Sequence, residues 1–378
     1  MFWKASLYSV SLVLICLSVA ASGADQGAGT TETLITEMEP SWIAESLVVS
    51  ADGARIACVA DVGGKQCVVV DGEAGPSYDR IGPEGAVLSA DGKRVGYVAS
   101  TGDKWFVVVD GQEGKAYDGI VAGLDFSPDG TRLVHGARVG GKQLMVVDGV
   151  EGKRYDGIPG FKFSPDGKTL VYGAVVGDEQ FLVVNGEEGK HYRVVGGVVF
   201  SADSRKMAHV AGVDDEWLIV VDGVEGKRYG GVGGPFLSPD GTRLAHAVVE
   251  DRKWYVLDDG KEGKHYDHVI AVFTFSPDGR KLAYVASVGG KQFVVVNGEE
   301  GKAYDRIDPR TLVFGPDGKG FAYTAELGGG QFVVIDGSEC DSYDRILNGG
   351  TVVFDSPDSL HYMAVDGEEA YRVDVRLK

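Results

Sequence analysis

The sequence predicts an all-β fold, a ring of repeated four-stranded antiparallel sheets, and three observations predict it. A Ser-x-Asp-Gly turn recurs about every 38 residues along almost the whole 378-residue chain. Glycine is about twice as abundant as usual, 57 residues with no collagen-like period, as a chain needs when it reverses direction often. Between the turns lie runs of roughly five β-branched and aromatic residues, the length of an ordinary strand. No stretch beyond the N-terminal region carries a helical period long enough to matter.

The aspartates of the recurring turn are Asp52, Asp91, Asp129, Asp166, Asp203, Asp240, Asp278, Asp317 and Asp358. A second turn follows each, with Asp or Asn before Gly, at Asp71, Asp110, Asp148, Asn185, Asp222, Asn297, Asp336 and Asp366. The sixth copy has Leu257-Asp-Asp-Gly260 instead. Asp and Asn exchange there because a tight hairpin turn needs a residue that tolerates positive φ. The third landmark is a Tyr, usually followed by Asp, from Tyr78 through Tyr371.

The seventh copy shows four strand-like runs: Ala271–Phe275, Lys281–Val285, Gln292–Val296 and Ala303–Ile307. Four antiparallel strands in about 38 residues, repeated, is the arithmetic of β-propeller blades. One blade cannot bury both its faces, so it needs neighbours, and ring closure removes the exposed ends. Nine blades are expected, with eight blades plus a terminal sheet as the alternative. The last unit offers three strands, Thr351–Phe354, Leu360–Val365 and Ala370–Leu377. Thr33–Met38 reads as a spare strand that could pair into it and clasp the ring.

Phe-Ser-Pro-Asp-Gly-Lys-x-Leu-Ala-Tyr, seen with small departures at Phe163–Tyr172 and Phe275–Tyr284, resembles the WD-repeat-like propeller repeat of TolB-type periplasmic proteins. The resemblance covers roughly residues 44–374. It implies that the segment before each Ser-Pro-Asp-Gly turn is the inner strand of its blade. It is specific for fold and nearly silent on function.

Residues 1–24 read as a secretory signal peptide: a short start with Lys4, an apolar run from Leu7 to Ala20, and small residues to Ala24. That run is too short for a bilayer span. The expected organisation is therefore signal peptide 1–24, an N-terminal segment 25–43, and a propeller domain 44–378 that is secreted or periplasmic, with no membrane span after cleavage. Cleavage removes one Lys and no acid, taking the formal net charge from −19 to −20. Such acidity argues against nucleic acid or an anionic membrane as partner. The remaining cysteines, Cys58, Cys67 and Cys340, make no disulfide framework. Cys58 and Cys67 fall on core positions of the repeat, whereas Cys340 replaces a turn residue and is expected to be exposed.

His135, His209 and His246 share one repeat position with Tyr97, Tyr172, Tyr284 and Tyr323, so they are expected to pack between blades and not to bind metal. Turn aspartates have sufficient reason in capping their own backbones. There is no nucleophile elbow, metalloprotease helix motif or phosphate loop, and no cofactor or catalytic residue is assigned.

A specific site is expected where the copies disagree. Most copies carry Gln fourteen residues after the turn aspartate, but three carry Trp105, Trp217 and Trp254. The loop before this position is Gly-Gly-Lys in the first, third and seventh copies. It becomes acidic in the fourth to sixth, with Asp178, Glu179, Asp214, Asp215, Glu216, Glu250 and Asp251. These loops join second and third strands, opposite the Ser-x-Asp-Gly turns. They suggest a patch for a basic protein or peptide partner, presented by a monomer. A second departure puts Asp125, Lys162 and Thr274 where other inner strands are apolar. Asp125 and Lys162 either pair or line a channel. The reading is a binding scaffold of the cell envelope; the alternative is an enzyme of lyase or glycosidase type at the channel mouth.

Overall fold

The computed structural model describes Thr36 and residues 38–377. Residues 1–24, read above as a signal peptide, and most of Thr33–Met38 lie outside the described residues. The chain is an all-β propeller of nine antiparallel sheets, each four-stranded except the eighth, and each built from consecutive segments.

The seventh sheet shows how the repeat folds. Its strands are His268–Phe275, Leu282–Val288, Lys291–Val296 and Glu299–Glu300, paired in that order. The Ser276 hydroxyl donates to Asp278 Oδ1 at 2.5 Å and accepts the Lys281 N–H at 2.9 Å. Gly279 completes the turn at φ 71°, a conformation that costs glycine little. In the next hairpin Asn297 sits at φ 50° and accepts the Leu282 N–H at 2.9 Å. Both turns are thus specified by polar side chains that bond the backbone of their own hairpin.

The fourth strand is shorter than the sequence suggests and lies earlier. It is Glu299–Glu300, not Ala303–Ile307. Tyr304 makes one bridge to Gln292, and Arg306–Ile307 already pairs with Glu326 and Ala325 of the eighth sheet. The reason is the ring of Tyr304, which is fully buried among residues of the seventh and eighth sheets. The backbone that follows it must therefore cross between them.

Apolar clusters join the first four sheets in series and the sixth to the ninth in series, while the clusters around Tyr192 and Tyr229 are built from the fifth and sixth sheets respectively. Their repeating element is an aromatic pair at each seam, such as Tyr78 against Tyr97 and Tyr304 against Tyr323, edge-on. His135, His209 and His246 take the same place, buried and edge-on to Tyr117, Tyr192 and Tyr229. Cys58 and Cys67 are buried in the first sheet. Cys340 departs from expectation: it is half-buried against the ninth sheet, and burial pushes its thiol up. It stands where other copies have a glycine whose N–H bonds the third strand, and it makes the same bond, to the Val333 carbonyl at 2.9 Å. Its side chain is thereby placed against the next sheet.

The last two sheets have interrupted first strands. A 3-10 turn at Pro309–Thr311 splits the eighth, and one at Asn348–Gly350 splits the ninth. The ninth sheet is then two halves of a first strand beside Ser359–Asp366 and Glu369–Arg376. Its face toward the eighth sheet is apolar, with Leu360, Tyr362 and Ala364. Its other face carries Asp355, His361, Arg372 and Asp374. Among the described residues no apolar cluster joins this face to the first sheet. Thr36 lies against the turn at Gly72 of the first sheet.

Candidate binding face on the fourth to sixth sheets

The loops between second and third strands are tied across each seam by one recurring device. Asp118, after Tyr117, holds Lys104 of the second sheet at 2.6 Å and accepts the Gly140 N–H of the third sheet at 2.9 Å. Asp79, Asp156, Asp267, Asp305 and Asp344 make the same bond to Gly102, Gly177, Gly289, Gly328 and Gly367. Lys65, Lys142, Lys253 and Lys291 complete the ion pair on four of these. The ammonium and amide hydrogen bonds hold the carboxyls of Asp79, Asp118, Asp156, Asp267 and Asp305 below their ordinary range: Lys104 leads at Asp118 and the Gly102 amide at Asp79.

Two consecutive seams lack the device. After Tyr192 the aspartate is replaced by Arg193, and after Tyr229 by Gly230. The partner lysine is replaced by Glu179 and Glu216, so the charge sign is reversed. Glu179 instead meets His191 at 2.9 Å, and Glu216 meets Arg228 at 3.8 Å. Glu250 accepts the Tyr255 hydroxyl at 3.0 Å and lies 3.9 Å from Lys227. Asp178, Asp214, Asp215 and Asp251 are exposed, and among the described residues none has an ion-pair partner. Asp214, Asp251 and Arg252 also adopt φ of 55°, 49° and 63°. The first, third, seventh and eighth sheets have Gly-Gly in these loops. Non-glycine residues held in the left-handed region cost free energy and concentrate at functional loops.

The position shared by Gln and Trp has a structural role that spacing alone did not reveal. Where it is Gln, its carboxamide oxygen reaches across the seam to a backbone N–H of the next sheet. Gln66 bonds Ile81 at 2.8 Å, Gln143 bonds Ile158 at 2.7 Å and Gln292 bonds Ile307 at 2.6 Å. Gln180 to Val195 is longer, at 3.2 Å, and Gln331 bonds Ile346 at 3.0 Å. Where it is Trp, the ring is half-buried. Trp217 lies flat over Gly212, its cross-strand partner, and under the Arg193 guanidinium at 5.9 Å. Trp254 stands edge-on to His268 of the seventh sheet at 5.0 Å. Trp105 packs against the cluster joining the second and third sheets. The exposed acids of the fifth and sixth sheets therefore lie in the loops that lead into Trp217 and Trp254, each of which also covers part of a seam.

The inner-strand trio does not assemble. Lys162 donates to the Val198 carbonyl of the fifth sheet at 3.1 Å, and among the described residues it has no ion pair with Asp125. Asp125 is solvent-accessible yet ringed by protein, and that desolvation raises its carboxyl. Thr274 reaches the Leu312 carbonyl at 3.4 Å. The three sit on different sheets, and Lys162 and Thr274 each reach the chain of the next sheet.

Two further features escaped the sequence reading. Asp355, His361 and Asp374 come from three neighbouring segments of the ninth sheet, with donor atoms within 4.8 Å of one another. His361 is hydrogen-bonded to Asp355, and Asp374 is held by Arg372. Cross-strand register creates this cluster, and no linear motif announces it. The second feature is a groove between the fourth and fifth sheets, taken up below.

No protein-family model matches the chain. No curated protein matches it in sequence. Among solved structures it is similar to a eukaryotic initiation factor, with 11% identity over 79% of this chain and 88% of that one, at a TM-score of 0.46. It is also similar to the β-propeller domain of the Trilobed protease from Pyrococcus furiosus, with 14% identity over 71% and 97% of the two chains and a TM-score of 0.33. TolB from Acinetobacter baumannii shares 18% identity over 55% of this chain and 62% of its own, at a TM-score of 0.28. No helix among the described residues is long and apolar enough to cross a membrane.

Proposed function

We propose that this chain is an extracytoplasmic binding propeller of the TolB-like repeat type. In this reading the loop face of its fourth to sixth sheets captures a basic protein or peptide. The observation that carries the reading is the paired loss of the aspartate–lysine–amide tie at two consecutive seams, on the same sheets whose loops are acidic and held at positive φ. In the first, second, third, sixth and seventh sheets a lysine of this loop pairs with the aspartate of the tie. The loops of the fourth to sixth sheets leave Asp178, Asp214, Asp215 and Asp251 free, beside the half-buried rings of Trp217 and Trp254. Acids around an aromatic floor favour Lys and Arg side chains, through charge and cation–π contact.

The test is fluorescence anisotropy of a labelled Lys/Arg-rich peptide. The mature protein is compared with D214N/D215N/E216Q, with W217Q/W254Q, and with E73Q/E187Q/E299Q, which removes equal charge from the opposite turns. The first two variants should bind about tenfold or more weaker with an unchanged circular dichroism spectrum, and the third should bind almost as the parent does. Equal weakening by the first and third variants would reduce the effect to net charge and overturn the reading.

A further inference from the structure

We propose that the groove between the turn ends of the fourth and fifth sheets is a binding site for a small anion with an apolar body, such as an aliphatic or aromatic carboxylate. The groove encloses about 420 Å³, within the range of ordinary small-molecule pockets. Leu182, Val184, Phe200 and Met207 supply apolar walls, and Thr169 and Lys206 stand at its edge.

Four other seams hold an arginine in this space. The residue three beyond the turn aspartate is an arginine in the first, second, third and sixth sheets. It pairs with the acid of the second turn and leans on the next sheet. Arg55 meets Asp71 at 2.8 Å and the Gly92 carbonyl at 3.0 Å. Arg243 meets Asp258 at 2.5 Å and lies 5.3 Å over Phe275. Arg94 and Arg132 cover Phe126 and Phe163 in the same manner. In the fourth sheet the arginine has become Thr169 and the acid has become Asn185. Thr169 is too short to cover Phe200, so this aromatic wall lacks the guanidinium that covers its counterparts; the grooves beside Arg94 and Arg55, about 450 and 570 Å³, are no smaller, and the difference lies in the lining.

The charge of the lining changes sign as well. The corresponding groove between the second and third sheets is lined by Arg94 and Lys115 against Asp110, Glu113 and Asp148. The groove between the fourth and fifth is lined by Lys190, Arg205 and Lys206 against Asp222 alone. Lys190 is held by Glu225 at 2.8 Å, and Arg205 lies 3.7 Å from Asp203. Among the described residues Lys206 has no carboxylate within ion-pair distance, on a chain whose net charge is −19. At the mouth Ser204 adopts φ 63°, where seven copies have glycine, and its hydroxyl accepts the Asp166 N–H of the fourth sheet at 2.9 Å. A residue held there against its backbone preference fixes the spacing of the two turns. The ligand's apolar body would lie on Phe200 and Leu182, with its anion toward Lys206.

The mature protein is titrated with 1-anilinonaphthalene-8-sulfonate, and the bound dye is competed with decanoate, decanol and decyltrimethylammonium. One saturable site is expected, with decanoate displacing the dye about tenfold better than the neutral or cationic analogue. T169R/N185D rebuilds the arginine–acid pair of the other seams, and should weaken dye binding at least tenfold while the melting temperature holds or rises. K206Q, which leaves the walls intact, should weaken decanoate several-fold and decanol little. The absence of a saturable site would overturn the proposal. So would equal competition by the cationic analogue, or full dye binding by folded T169R/N185D.

Discussion

His135 and His246 occupy buried seam positions where four other copies place a tyrosine, and the Nδ1 atom of each is buried without a hydrogen-bond partner. Burial pushes both imidazoles down to about 4, and His209 also falls, burial outweighing its contact with the Val210 carbonyl. The sign follows from linkage: the unfolded chain takes up these protons near 6.5, whereas the folded chain refuses them until about 4. The stabilisation is therefore complete above 6.5 and is lost as pH falls from there toward 4. Each fully shifted histidine changes stability by about 1.4 kcal/mol per pH unit inside that window. Denaturant midpoints should thus drop steadily from pH 6.5 to 4. In H135Y/H209Y/H246Y, which uses the residue of the sister copies, that slope should largely vanish. A parent protein whose midpoint is flat through the window would show that these rings are hydrated. The seam aspartates act lower: their carboxyls are held below 3.8 by ammonium and amide contacts, so their contribution is lost only below about pH 4.

At the scale of the element, the unit that matters is the seam between two sheets, and it has three fastenings: an aromatic pair, a glutamine carboxamide and an aspartate tie. Gln292 leaves the Ile307 N–H without its partner if truncated, so Q292A should cost about 1–3 kcal/mol in equilibrium unfolding. Q180A should cost less, because its bond to Val195 is already stretched to 3.2 Å. Equal costs would mean that the glutamines act by packing alone. This level of organisation explains what the sequence could and could not reveal. The Ser-x-Asp-Gly and Asp-Gly turns were legible because every contact they need lies within six residues or across one hairpin, as at Ser276 and Asn297. Buried positions such as His135 and Cys67 were legible because the repeat superposes its copies. The fastenings were not: Lys104, Asp118 and Gly140 belong to three different motifs, and only the face-to-face approach of two sheets joins them. For the same reason Ala303–Ile307 was read as one strand, when the buried Tyr304 divides it between two sheets. The acids of the fourth to sixth loops were visible as a departure, but their loss of the tie was not.

For the whole molecule, the distribution of fastenings predicts where it opens. Sheets one to four are tied in series through Asp79, Asp118 and Asp156, and sheets six to nine through Asp267, Asp305 and Asp344. The fifth sheet has neither tie, and on its fourth-sheet side the arginine that fills other grooves is missing. Its own glutamine position is Trp217, which donates no carboxamide to the sixth sheet. Exposed ion pairs are individually weak, about 0–1 kcal/mol, so each loss is small. Concentrated on one sheet flanked by two, however, they lower the free energy of a local opening relative to every other sheet. Hydrogen exchange under native conditions should therefore show Met207–Val213 exchanging through a lower-energy opening than the matching strands Leu133–Val139 and Leu282–Val288, although all three are second strands of the same repeat. Installing the tie with E216K/G230D should raise protection at Met207–Val213 and leave the other two strands unchanged. Gly230 has room for the new side chain: a Cβ there would meet only the Val249 carbonyl, at 3.5 Å. Uniform protection across the three strands in the parent would mean that the apolar clusters alone set the stability of the array, and that the ties at the remaining seams serve only to place the loops.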